Sequence, residues 1–183
     1  MIVEGDRVGA AKMSLSHISP KRTQVVESVI NLRVRATPLG THTVTQIGII
    51  VRNLEETAQA WSRLLGVPIP KIIVTEPVEL THADYQGQPT PALAKLAFFQ
   101  LGPVTLELIE PIGEPSTWQD QLVSHGQSLH HIAFEIKGMA ERLAVLAELG
   151  LPVLQHGDYR GGRYAYLDGQ QKYGAIVELL END

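Results

Sequence analysis

Residues 46–66 read QIGIIVRNLEETAQAWSRLLG and residues 131–150 read HIAFEIKGMAERLAVLAELG. Both run from a short apolar, β-rich strand through a turn into an amphipathic helix that stops at Leu-Gly. Each copy ends on a second matching strand, TLELIEP at 105–111 and IVELLEN at 176–182. Superposing the copies sets Gln46 on His131 and Glu107 on Glu178. Four side chains able to ligate a metal thus fall in two equivalent pairs, the pattern expected where two halves of a chain hold one ion between them.

The rest of the chain can be read outward from these stretches. Val44–Val51 reads as a buried strand. Asn53 is placed to cap a helix, with Glu55 and Glu56 in the first turn where the dipole favours acid. Leu54, Thr57, Ala58, Trp61, Leu64 and Leu65 keep helical spacing until Gly66, and Pro68 prevents resumption. Ile72–Val74 reads as a strand. Glu76–Ala92, with Pro77, Gly87, Pro89 and Pro91, reads as a loop. Leu93–Leu101 and Val104–Ile109 form a predicted hairpin about Gly102-Pro103, and Ser116–Leu122 a short helix in the connector. In copy two, strands are expected at Leu129–Ile136, Val153–Leu154, Arg163–Leu167 and Ala175–Leu180, with a helix over Met139–Leu149 closed by Gly150 and Pro152.

The order βαβββ, twice, predicts an α+β fold. Two tandem modules, 44–111 and 128–181, would form one curved sheet around a cleft within a single domain over 41–183. Residues 1–40 have no counterpart in the repeat. They are expected to be an N-terminal extension, partly disordered, with Thr23–Val34 as a short helix or strand.

Bulk properties narrow the function classes. The chain has 183 residues, 44% of them hydrophobic, and a formal net charge of −5. That charge argues against a duplex nucleic acid partner. There is no cysteine, which removes disulfides, thiolate catalysis and sulfur-ligated zinc and suits a cytoplasmic setting. No apolar run approaches the ~20 residues of a membrane span, and the N-terminus lacks the pattern of a secretory signal.

Alternation within the closing strands isolates the chemistry. Glu107 points away from the face shared by Leu106 and Leu108, and Glu178 away from Val177 and Leu179. A carboxylate centred in such a strand needs a cation or a proton donor. Gln46, Glu107, His131 and Glu178 offer one imidazole nitrogen and three oxygens, a set suited to Mn, Co, Ni, Mg or Zn with open positions. His130 is expected on the opposite strand face in a structural role. Glu110 and Glu181 read as solvated strand ends, Trp118 as a packing residue, and the remaining histidines as surface. In the turn Tyr159-Arg160-Gly161-Gly162-Arg163, the arginines either clamp a substrate carboxylate or phosphate, with Tyr164 alongside, or stand in solvent.

Leu129-His130-His131-Ile132-Ala133-Phe134 and Leu106-Glu107-Leu108-Ile109-Glu110-Pro111 resemble segments of methylmalonyl-CoA epimerase-like proteins in the vicinal oxygen chelate superfamily. The resemblance runs from about Val44 to Glu181. It implies a divalent metal held by Gln46, Glu107, His131 and Glu178, with Glu178 doubling as the base that takes a proton next to a carbonyl and leaves a metal-stabilised enolate. It also implies a small-molecule substrate, an acyl-CoA or a 2-oxo or hydroxy acid, and a homodimer. The segments are nearer the epimerases, whereas the Gln/Glu/His/Glu set resembles that of glyoxalase I, so an epimerase-like reaction is the favoured expectation and a glyoxalase-type lyase the alternative. Epimerisation needs a second acid/base. A bacterial epimerase pattern puts a Glu in the strand occupied here by Ala94-Lys95-Leu96, which makes Lys95 a candidate catalytic acid, a partner for a substrate carboxylate, or a surface residue. Two rivals share the fold. A metal-free binding protein would have an aromatic-lined cleft, and a ring-cleaving dioxygenase would carry His where Gln46 stands.

Overall fold

The computed structural model describes residues 37–183. The expectations for the extension fall almost wholly on residues 1–36, outside the described residues. In chain order the elements are β1 (Gln46–Ile50), α1 (Leu54–Leu65), β2 (Ile73–Val74), α2 (Val78–Thr81), β3 (Asp84–Tyr85), β4 (Gln88–Pro89), β5 (Leu93–Leu101), β6 (Val104–Ile112), α3 (Thr117–His125), β7 (Ser128–Glu135), α4 (Met139–Glu148), β8 (Val153–Tyr159), β9 (Gly162–Leu167), α5 (Gln170–Tyr173) and β10 (Ile176–Asn182).

The strands form one sheet in the order β2-β5-β6-β1-β7-β10-β9-β8-β3-β4. Chain connectivity forces this sheet to curl. β4 lies at one edge and β5 beside the other, yet only Thr90, Pro91 and Ala92 join them. That link reaches about 15 Å, whereas eight strand spacings laid flat would separate the two strands by about 40 Å. The result is an α+β half-barrel with few helices.

The modules meet where β1 runs antiparallel to β7, pairing Gln46 with Ala133 and Gly48 with His131. Within module one β1 is parallel to β6, with Gly48 opposite Glu107. Within module two β7 is parallel to β10, with Ala133 opposite Glu178. The two registers superpose, so the equivalence read from the sequence is reproduced in hydrogen bonding.

Alternation divides the side chains between two faces. On the helix face α1 packs on Val51, Ala97, Phe99, Leu106 and Leu108, and α4 on Ala165, Leu167 and Leu179. On the inner face Ile50, Ala94, Ile109, Tyr166 and Ile176 cluster with Trp118 of α3. Asn53 caps α1 by accepting from the Glu56 N–H at 3.0 Å, and Gly66 closes it in the left-handed region at φ 68°. The expected Glu76–Ala92 loop is in part regular. It holds α2 and a β3–β4 hairpin whose turn residues Gln86 and Gly87 both have positive φ, as a two-residue hairpin turn of this hand requires. The hairpin pairs with β8, so a segment of module one extends the sheet edge of module two.

Glu110 and Glu181 are not solvated ends. Glu110 accepts from the Leu54 N–H at 2.6 Å, and Glu181 from the Gly138 N–H at 2.6 Å. Each carboxylate satisfies the free N–H groups at the start of its module's helix. This locks α1 and α4 to the closing strands that carry Glu107 and Glu178.

Candidate metal centre

The four residues singled out in the sequence come together on the inner face, at the junction of the modules. His131 Nε2 lies 3.0 Å from Glu178 Oε2 and 3.4 Å from Glu107 Oε2. Gln46 Nε2 donates to Glu107 Oε2 at 2.8 Å and lies 3.4 Å from His131 Nε2. Ligand atoms of Glu107, His131 and Glu178 all fall within 4.8 Å of one another.

Small residues make room for this convergence. Gly48 sits beneath the His131 ring, and a Cβ there would come within 2.1 Å of Cε1. Ala133, in the equivalent place, faces Gln46. Glu107 is 5% exposed, Glu178 3% and His131 0%, so two carboxylates share one imidazole out of reach of bulk water. Burial, reinforced by Glu178, pushes the Glu107 carboxyl up to about 8. Burial also opposes charge on His131, but Glu178 and then Glu107 outweigh it and raise that group. Glu178 Oε2 has no hydrogen-bond partner of regular geometry. Its contact with His131 is one of charge and distance.

These observations fit a divalent cation. The cluster sets two buried carboxylates against one imidazole and leaves an acceptor oxygen without a regular hydrogen bond. The Gln46 amide is oriented by its bond to Glu107, and a half-turn presents Oε1 in place of Nε2. One nitrogen and three oxygens then converge, a donor set for intermediate to hard ions.

Other neighbours of the cluster were not legible in the sequence. His130 was expected on the far side of β7. A bulge opposite Gly48 and Ile49 inserts an extra residue there, which turns both histidines to the inner face. His130 is fully buried, with its Nδ1 3.0 Å from His131 Nδ1. Burial and the neighbouring His131 hold its pKa well below the ordinary histidine range. Tyr166 packs edge-on against His130, at 5.0 Å between centroids, and lies 5.2 Å from His131. Its hydroxyl accepts from Trp118 Nε1 at 3.2 Å. Burial, with Glu178 and Glu107 adding to it, raises the Tyr166 pKa well above the ordinary phenol range, so the hydroxyl keeps its hydrogen. Tyr164, a candidate substrate contact, shares the inner face and accepts from Gln155 Nε2 at 3.2 Å. Trp118 is buried as a packing residue, yet its indole N–H serves the site. Two-residue spacing of Tyr164 and Tyr166 in a strand that pairs with Glu178 was the signal available in the sequence; the β7 bulge left none.

Three candidates lie elsewhere. Lys95 pairs across the sheet with Glu110, on the helix face, and its Nζ is 3.1 Å from both Glu55 Oε1 and Glu110 Oε1. The strand pleat turns it away from the cluster. Arg163 likewise alternates to the helix face opposite Glu181, with Asp183 at 3.4 Å. Arg160 occupies the exposed turn between β8 and β9. The structure brings neither arginine to the cluster.

A family model described as the glyoxalase/bleomycin resistance protein/dioxygenase superfamily matches residues 45–166. Protein YqjC of Bacillus subtilis (strain 168), itself uncharacterised, is 30% identical over 138 residues, 74% of this chain and 89% of that protein. Among solved structures, hypothetical protein BH1468 of Bacillus halodurans C-125 is similar at a TM-score of 0.56 and 24% identity, covering 77% of this chain and 94% of its own. A methylmalonyl-CoA epimerase in complex with methylmalonyl-CoA and NH4+ is similar at 0.53 and 24%, covering 76% and 93%. A variant of the Streptomyces coelicolor methylmalonyl-CoA epimerase in complex with 2-nitronate-propionyl-CoA is similar at 0.53 and 24%, covering 76% and 96%. At that identity the solved structures speak for the fold. The family match over most of the chain, together with the repeat and the sheet register, identifies the chain as a member of the glyoxalase/bleomycin resistance protein/dioxygenase superfamily.

Proposed function

We propose that this protein is a metal-dependent isomerase, epimerase or lyase that removes a proton from the carbon next to a carbonyl. The observation that carries the reading is the meeting of Gln46, Glu107, His131 and Glu178 at one buried point, with Glu178 Oε2 held to His131 by charge and without a hydrogen bond of regular geometry. A divalent ion held by these four side chains would polarise a substrate carbonyl and acidify the adjacent C–H.

The chain's own residues supply the remainder. Glu178 Oε2, free of a directed hydrogen bond, receives the proton. Tyr166 spends its acceptor capacity on Trp118 and retains its own hydrogen for a substrate oxygen as negative charge grows there. Burial beneath α3 excludes bulk water, which strengthens both interactions. Ala94, Leu96 and Phe98 give the inner face of module one an apolar floor. Tyr164 and Tyr166 give module two a polar one. An acyl thioester or a 2-oxo or hydroxy acid, with one apolar and one oxygen-rich end, suits that division. The acyl-CoA ligands of the fold neighbours agree with it.

One observation favours a one-base lyase or isomerase over a two-base epimerase: Lys95 faces away, so that strand position supplies no second acid/base. The test is solvent deuterium uptake at the α-carbon of acyl-CoA and hydroxy-ketone substrates in the presence of Mn, Co, Ni or Zn. Exchange is expected in the metal-loaded protein, and Glu178→Gln should lower its rate about 100- to 10,000-fold while retaining some metal. Metal binding without exchange on any such substrate would favour a binding protein of the same fold.

A further inference from the structure

We propose that His130 is a positioning residue for His131, holding the hydrogen of that imidazole on Nδ1 so that Nε2 stays bare for the ion. The inference rests on the reading of the cluster as a metal site.

Geometry carries it. His131 Nε2 faces Glu107, Glu178 and Gln46, so Nε2 is the nitrogen that would ligate. A neutral imidazole with Nε2 bare must carry its hydrogen on Nδ1. The polar atom that meets Nδ1 is His130 Nδ1 at 3.0 Å. It can accept that hydrogen only if His130 carries its own on Nε2. The surroundings of His130 Nε2 agree. It makes no hydrogen bond, so no donor competes for that nitrogen and a hydrogen there meets no opposition. Both rings are fully buried, so water cannot take over this duty.

The repeat supplies a control. Gln46, the equivalent ligand, has no tautomer to set. The residue before it, Thr45, sits where His130 sits in module two and bonds the Ala133 carbonyl at 3.3 Å. The β1–β7 bulge rotates His130 in, and only the imidazole ligand receives a partner of this kind. Ligating histidines commonly donate their other ring N–H to a carbonyl, carboxylate or water; here a second imidazole takes that place.

The test compares His130→Phe with His130→Asn, whose Oδ1 can accept from His131 Nδ1 near the place of the lost nitrogen. Affinity for Co and Zn is measured by calorimetry on folded protein, and nitrogen-15 spectra of the zinc-loaded wild type report which His131 nitrogen carries hydrogen. Expected are a loss of metal affinity of about tenfold to hundredfold in His130→Phe, recovery of most of it in His130→Asn, and a protonated Nδ1 on His131. Equal losses in both variants, or wild-type affinity in His130→Phe, would reduce His130 to packing. A bare Nδ1 in the spectra overturns the proposal even if neither variant folds. Wild-type protein that takes up none of these ions overturns the metal reading itself, an outcome distinct from metal binding that ignores position 130.

Discussion

The two modules share a frame and divide the chemistry. Gln46 and His131 occupy equivalent positions, as do Glu107 and Glu178, and the parallel pairings β1–β6 and β7–β10 repeat the same register. Beyond that the halves diverge. Phe98 pairs with Glu107 in module one, and Tyr166 pairs with Glu178 in module two. At the next inner position Leu96 answers to Tyr164. Module one therefore offers hydrocarbon beside its carboxylate, and module two offers hydroxyls and a second histidine. A duplicated frame fixes where ligands meet; divergence at paired positions decides which carboxylate can move a proton.

That comparison can be broken deliberately. Tyr166→Phe makes the inner positions of the halves alike. It is expected to lower proton exchange about tenfold to hundredfold, the worth of a hydrogen bond to a charged group, while metal affinity measured by calorimetry holds. Loss of metal affinity in this variant would mean that Tyr166 serves the ligands rather than the substrate. Gly48→Ala tests the seat of His131. With Cβ 2.1 Å from Cε1, the ring must shift, and overpacking of this kind costs about 1–3 kcal/mol. Lower thermal stability and weaker metal binding are expected together; Ala133→Gly, which removes no clash, should leave metal binding nearly intact.

The raised groups give a pH test with a definite sign. Glu107 sits at about 8 in the folded chain against an ordinary 4.5, so the folded state holds a proton that the unfolded state has released. His131 is shifted in the same direction. The contribution of these groups to the stability of the metal-free protein is therefore fully present below about 4.5 and is lost as pH rises to about 8. A bound ion displaces that proton, so metal affinity should rise over the same range. Thermal unfolding of chelated and metal-loaded samples from pH 5 to pH 9 checks both. The smallest effect is expected from Lys95→Ala, which removes an ion pair on the helix face. Proton exchange should not change, and any stability loss should shrink further in salt.

Much of this was legible in the sequence because it followed from periodicity. Alternation in TLELIE and IVELLE aimed both glutamates at one face, and the repeat paired them with Gln46 and His131. What escaped depended on departures from regular structure or on contacts distant in sequence. A single inserted residue in β7 reversed the face of His130, since a one-residue slip exchanges the faces of a strand. The same parity rule, applied to β5, would have sent Lys95 away from Glu107 had the β5–β6 register been known. Glu110 and Glu181 looked solvated because their partners are backbone N–H groups of helices that begin far away in sequence. The β3–β4 hairpin was hidden by Gly87 and Pro89, which serve its turn and its edge strand.

The most direct measurement is the metal content of untagged, chelator-free protein by elemental mass spectrometry, with His131→Ala beside it. The expected result is about one divalent ion per chain in the wild type, lost in the variant. Wild-type protein without metal, and with none taken up from Mn, Co, Ni or Zn, would contradict the central claim and leave a binding protein that keeps the frame without the ion.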